Sequence, residues 1–194
     1  MRNVGLLIII GLIVFGCVKE ETKHADITFD VNEALLSSKN IFPDININFH
    51  PPINWEEIDQ ELLNTIQSKV SDAQDSTGID PVPIKIFMDM ERSCTCFVST
   101  FNSSLLAQDI IENYLNDFRS ANNEINLIEG SFSHNGIDFH QIVFSKEDFT
   151  SIKLIANVID QKVFTIEYVV PTQYYEEELR SIESSIGSIK IKVV

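Results

Sequence analysis

The sequence predicts an α+β domain, an antiparallel sheet with helices packed against it. Two observations carry that expectation. The C-terminal half holds two pairs of alternating apolar runs joined by short turns, the pattern of β-hairpins. Interspersed are three stretches whose apolar residues recur every three or four positions, as on helices that bury one face. A third observation sets the domain count: no internal repeat or second linker interrupts the chain after its N-terminal segment, and the remainder is long enough for one sizeable core.

At the start, Met1-Arg2-Asn3 precedes an unbroken apolar or glycine run over residues 4–15. A helix of that length reaches about 18 Å, short of the ~30 Å hydrocarbon core, so the run reads as a signal peptide rather than a membrane span. Its end, Val14-Phe15-Gly16-Cys17, resembles the bacterial lipoprotein signal, or lipobox, although Phe15 stands where a small residue is usual. The resemblance implies removal of residues 1–16 and acylation of Cys17, palmitate included, as a stable membrane anchor. Val18-Lys19-Glu20-Glu21 resembles the export signal of Bacteroidota surface lipoproteins. It implies attachment to the outer membrane, on the surface-exposed or the periplasmic leaflet. Residues 17–28 then read as the acylated cysteine and an acidic tether, and residues 29–194 as a single domain.

Within that domain, Ile45, Ile47 and Phe49 alternate with Asn46, Asn48 and His50, a half-buried strand closed by Pro51-Pro52. From Trp55 the period changes. Trp55, Ile58, Leu62, Ile66, Val70 and Ala73 share one face of a helix, with Glu56, Glu57 and Asp59 near its positive end. Residues 75–83 are a Gly- and Pro-punctuated loop. Residues 84–88 and 96–98 are strands around Glu91-Arg92-Ser93. Ser103 or Ser104 caps a helix striped by Ala107, Ile110/Ile111, Tyr114 and Phe118 and stopped at Asn122-Asn123. Residues 125–133 and 137–145 pair through His134-Asn135-Gly136, since Asn-Gly suits a tight hairpin turn. Residues 152–159 and 163–170 pair about Asp160-Gln161. Pro171 ends that strand, and Thr172 opens a helix with Tyr175, Leu179, Ile182 and Ile186 inward. Gly187 stops it, and residues 188–194 form a closing strand.

This layout resembles the PsbP-like and Mog-type superfamily, an α/β/α sandwich found in photosystem II extrinsic subunits, Ran-binding proteins and many bacterial lipoproteins. The strand leading through Pro52 to Trp55 is similar to the family's strand-Pro-x-x-Trp start. The helix before the Asn135-Gly136 hairpin also fits, as does the ending over residues 174–191, where a helix leads into Ser188-Ile189-Lys190-Ile191. The resemblance covers roughly residues 41–194, with residues 62–83 as an insertion. NTF2-like and cystatin-like sheets are the competing folds. Membership implies binding or assembly more than catalysis.

Charge narrows the partners. The chain has 14 Lys+Arg against 29 Asp+Glu, a formal net charge of -15 and a pI near 4.5. Nucleic acid needs a basic surface and is not expected as a partner. Loss of residues 1–16 removes Arg2 and no acid, leaving -16 on 178 residues. Anionic headgroups repel such a body, so the membrane would hold it through the lipid on Cys17.

Few residues suggest chemistry. Cys94-x-Cys96 is a pair that strand geometry would keep too far apart for an ordinary disulfide. Buried thiols are the leading reading, with a local disulfide at a tight turn, or metal or redox chemistry, as alternatives. His24 lies in the tether and His134 reads as a solvated turn residue. Asp138 and His140 share a strand face that continues into core-like Ile142 and Phe144, which favours a structural histidine over a ligand. Asp89 and Glu91 read as a solvated face, and Glu176-Glu177-Glu178 as charge complementing a helix start. No Gly-x-Ser-x-Gly elbow, phosphate-binding glycine loop or EF-hand pattern occurs. The expectation is therefore no catalytic residue, no cofactor and no metal, with Cys17 as the site of lipidation. The function expected is a lipid-anchored, non-enzymatic envelope module that binds or assembles with a protein partner. The alternative is a carrier of a small apolar ligand held between sheet and helices.

Overall fold

The computed structural model describes residues 25–73, 79–158 and 162–192. The signal peptide, Cys17, the export motif, His24 and the Asp160-Gln161 turn lie outside the described residues. In chain order the first half contains β1 (Ala25–Asp26), β2 (Asn40–Phe42), β3 (Ile47–Phe49), β4 (Glu56–Glu57), α1 (Gln60–Ala73), β5 (Pro81–Asp89), β6 (Cys94–Phe101) and α2 (Ala107–Ala121). The second contains β7 (Ile128–His134), β8 (Ile137–Ser145), β9 (Phe149–Asn157), β10 (Val163–Pro171), α3 (Tyr175–Gly187) and β11 (Lys190–Ile191).

Eight strands form one sheet in the order β1-β7-β8-β9-β10-β6-β5-β4, antiparallel throughout except where β1 runs parallel to β7. β11, β3 and β2 make a second, three-stranded sheet. Asn135 and Gly136 sit at φ 50° and 76°, the pair of positive values that lets a two-residue turn match the twist of β7 and β8. The expected hairpins and the expected antiparallel sheet with flanking helices are present.

Alternation along the strands divides the core in two. Phe139, Leu154, Phe164, Ile166 and Tyr168 face a layer made by α3 and the small sheet, where they meet Ile47, Phe49, Ile182 and Ile186. Ile142, Phe144, Ile155 and Val163 face α2 and its Ile110, Ile111, Tyr114 and Leu115. The result is a three-layer sandwich. A chain of hydroxyls locks the first layer. Ser185 Oγ donates its one proton to the His50 carbonyl at 2.6 Å, so the Tyr168 hydroxyl, 2.9 Å away, must donate to Ser185.

Two expectations need correction. The helix expected from Trp55 begins at Gln60, where the Asp59 carboxylate accepts from the Leu62 N–H at 2.8 Å as its cap. Trp55 is instead a core residue at 2% exposure, edge-on to Tyr168, and Glu56–Glu57 pair with β5. The buried face of α1 shifts accordingly: Leu63 is buried and Leu62 is exposed. The apolar period alone cannot say where a helix begins when a short strand precedes it in phase. The second correction concerns capping of α2. Ser103 Oγ accepts from the Leu105 N–H, two residues ahead, and the helix starts at Ala107 without a side-chain cap.

Residues 25–38 cross the C-terminal end of α3 as a strap, although composition placed residues 25–28 in the tether. The Ile27 N–H donates to Ser133 O at 2.8 Å, and the Asn32 N–H to Ser184 Oγ at 3.2 Å. Phe29 packs edge-on to Phe132 and His134. Gly187, read from sequence as a stop, is the last residue of α3, and its role is one of space. A Cβ there would lie 2.5 Å from Phe29 Cβ and 2.7 Å from Val31 Cγ2.

Cys94 and Cys96 are free and fully buried on the α3 side of β6. Burial, with the Glu178 and Asp89 carboxylates nearby, pushes the Cys94 thiol up to about 12, and burial holds Cys96 well above its ordinary value. Both thiols should therefore resist iodoacetamide at pH 8 in the native protein and react fully once guanidinium unfolds it. Native labelling at the rate of an exposed cysteine would refute this. Because the folded values are raised, the contribution to stability is complete below the ~8.5 of a free thiol and is lost as pH climbs from there toward 12.

Candidate functional site

The turn between β5 and β6 builds a cleft of about 700 Å³. Asp89 accepts from the backbone N–H groups of Glu91 at 2.9 Å and Arg92 at 3.1 Å, and Ser93 takes a left-handed φ of 57° to complete the turn. The turn aims Arg92 at the first turn of α3. Its Nη1 meets Glu178 at 2.5 Å, its Nη2 lies 3.4 Å from Glu177, and its guanidinium sits 5.4 Å over the Tyr174 ring. Ser181 Oγ donates to the second oxygen of Glu178 at 3.0 Å. Hydrogen bonding and charge from Glu178 raise the Arg92 pKa above its already high value, so the guanidinium stays charged. Around this fixed pair stand Leu35, Ile53 and Met90, the last 79% exposed, together with Glu56 and Glu91.

A second polar group lies between α2 and the sheet. The Lys153 ammonium donates to the Tyr114 hydroxyl at 2.7 Å, lies 3.0 Å from Glu167 Oε2, and sits 4.9 Å from the Phe118 ring centre. Ser151 Oγ donates to Glu167 Oε1 at 2.7 Å. Burial opposes the charge on Lys153, but the Glu167 carboxylate and the Tyr114 hydroxyl outweigh it and raise the pKa. A lysine held charged in this way is a structural cation, not a base.

The residues singled out by sequence do not converge. Asp89 shapes the turn by bonding its own backbone, while Glu91 lines the cleft. Glu178 stands in the first turn of α3 as expected, and it is also buried, at 7% exposure, against Arg92. His134, expected in solvent, is 6% exposed: its Nδ1 lies 2.9 Å from Ile27 O and its Nε2 3.0 Å from Gly187 O, because the strap covers the hairpin end. Asp138 bonds Ser133 Oγ, and His140 lies 3.2 Å from Ser131 Oγ, so both serve the β7–β8 ladder. Sequence reasoning missed Arg92, Lys153 and Glu167. Lys153 and Glu167 stand directly opposite in the β9–β10 register, a pairing that counting outward from the hairpin turn could have found. Among the described residues no group of three or more His, Cys, Asp or Glu side chains could hold a metal, and no helix is long and apolar enough to cross a membrane.

The sheet with α2 on one face and α3 plus a small sheet on the other defines a PsbP-like α+β sandwich. Among solved structures the chain is similar to cyanobacterial PsbP (CyanoP) from Synechocystis sp. PCC 6803, at 12% identity and a TM-score of 0.50 over 84% of this chain and 95% of that one. At that identity the likeness bears on the fold. A crystal structure from Bacteroides thetaiotaomicron matches at 16% identity and a TM-score of 0.45, over 81% of this chain and 49% of that one. No family model and no curated protein matches the sequence.

Proposed function

We propose that the protein is a lipid-anchored, non-enzymatic docking module of the bacterial cell envelope, held at the outer membrane through acylated Cys17. The partner is a protein, and its contact is the cleft at the β5–β6 turn. One observation carries this reading: Leu35, exposed Ile53 and strongly exposed Met90 share a cleft with an Arg92 held by Glu178. Exposed methionine and arginine side chains are enriched at protein interfaces, where a large flexible residue such as methionine adapts to its partner. Arg92 is held by Glu178 and Glu177, which supports recognition over turnover. The surplus of carboxylates suits a protein surface and opposes nucleic acid.

A photo-crosslinker placed at Met90 of the full-length protein in intact cells tests the contact. It should give a discrete crosslinked species that Ile53→Asp abolishes, whereas a crosslinker at exposed Leu106, just before α2, should not give that species. The same species from both positions, or none from Met90, would count against the docking site. The anchor is tested separately: Cys17→Ser should move the protein from the membrane to the soluble fraction and end its labelling by palmitate, and an unchanged membrane pellet would sink that part.

A further inference from the structure

A second cleft, about 500 Å³, lies between the strap and the outer face of the small sheet, and its charge is unlike the rest of the molecule. In a chain with 29 acidic and 14 basic residues, it is lined by Lys39, Lys190 and His50 against one carboxylate, Glu33. Neither lysine makes an ion pair with any described residue, whereas Lys85 and Lys153 each hold a glutamate. The register explains how these groups meet. Lys190 of β11 pairs with Asn48 of β3, and Asn48 with Ile41 of β2, so their side chains form one row on the face turned from the core. His50 follows Asn48 by two residues and shares that face.

Asn48 adds a neutral donor to the two ammonium groups of this cleft. It is 9% exposed, lines the cleft, and its side-chain amide makes no hydrogen bond to any described residue. A primary amide offers two donors and an acceptor, and here they are open to the cleft rather than bonded to the protein. The site around it is otherwise set. The His50 ring is fixed by Nδ1 on Ser37 O at 2.9 Å. The last carbonyls of α3 are already served, because the Ser188 N–H donates to Ser184 O at 3.0 Å and Ser185 O at 3.1 Å. The lysines are therefore not needed as helix caps.

We propose that this cleft binds a phosphate-bearing group, with the Lys39 and Lys190 ammonium groups on the phosphate oxygens and the Asn48 amide donating a hydrogen bond. Two unpaired ammonium groups beside an amide suit a multiply charged oxyanion. The cleft exceeds the volume of phosphate alone, and Val31 and Leu36 offer the remainder an apolar wall. The phosphate belongs either to a soluble phosphomonoester or to a phospholipid headgroup. Neither source involves the docking cleft at Met90.

The test is an NMR titration of the full-length protein in detergent at constant ionic strength. The probes are inorganic phosphate, glycerol 3-phosphate and dihexanoyl phosphatidylglycerol. Saturable shifts of the Asn48 side-chain amide and of His50 are expected with at least one probe. Affinity should fall about tenfold or more in Lys39→Gln/Lys190→Gln, which alters only exposed positions, and should be unchanged in Lys69→Gln. Saturation by phosphate and glycerol 3-phosphate identifies the soluble class, and saturation by the phospholipid alone identifies the headgroup. Absence of saturable shifts with all three probes, or equal binding by the double variant, overturns the proposal.

Discussion

Replacing Glu167 by leucine should lower the free energy of unfolding by about 2–3 kcal/mol, one of the two largest effects expected of a single substitution here. The substitution leaves the Lys153 ammonium, whose side chain is 8% exposed, with only the Tyr114 hydroxyl and the aromatic rings for company. Breaking one partner of a fully buried pair costs about 3–5 kcal/mol, and the lower figure reflects the 21% exposure of Glu167. Changing Lys153→Met as well removes the stranded charge, so the double variant should recover most of the loss. Urea unfolding of the four proteins in the cycle checks this, and a double variant no better than Glu167→Leu would show that packing, not charge, sets the cost. The pH dependence has a definite sign. Because the Lys153 pKa is raised in the folded state, its contribution is complete below the ~10.4 of a free lysine and fades as pH rises through the folded value.

Gly187→Ala should be similarly severe, at about 1–3 kcal/mol, because a methyl group has no room under the strap. The added Cβ would sit 2.5 Å from Phe29 Cβ, a backbone-proximal atom that cannot swing aside. Either α3 shifts or the strap lifts. Hydrogen exchange separates these outcomes. Lifting would speed exchange at the Ile27 and Asn32 amides, which bond Ser133 and Ser184, while the amides of β9 and β10 stay protected. Unchanged exchange at Ile27 and Asn32 with unchanged stability would show that the close approach is not a constraint. Lifting the strap would also remove one wall of the lysine-lined cleft, since Val31 and Leu36 belong to it.

Much of the sheet could be read from the chain because its determinants are local. Asn135-Gly136 fixes the β7–β8 hairpin by backbone preference alone, and the alternation of Phe164, Ile166, Tyr168 and Val170 assigns one face of β10 to the core before any partner is known. The stripes of α2 and α3 were equally plain: Ile110, Ile111 and Tyr114, and Ile182 and Ile186, are buried as their spacing implies. At Trp55 the local signal is ambiguous, because a short strand and a helix start share the same apolar spacing over a few residues. The clefts were less accessible still. Arg92 and Glu178 are separated by 86 positions, and Asn48 meets Lys190 only when β11 closes the small sheet. Nothing in the neighbours of Arg92 or Lys190 in sequence marks either residue.

By itself, then, the sequence determined the α+β class, the hairpins, the faces of two helices and the acidic balance, because each follows from periodicity, turn chemistry or counting. Only the tertiary structure decided which charges are partnered. It buried His134 beneath the strap, matched Lys153 with Glu167 and Arg92 with Glu178, and left Lys39 and Lys190 without a carboxylate in a predominantly acidic chain. The reason is physical: the state of a polar side chain depends on the dielectric and the donors around it, and those are supplied by residues distant in sequence.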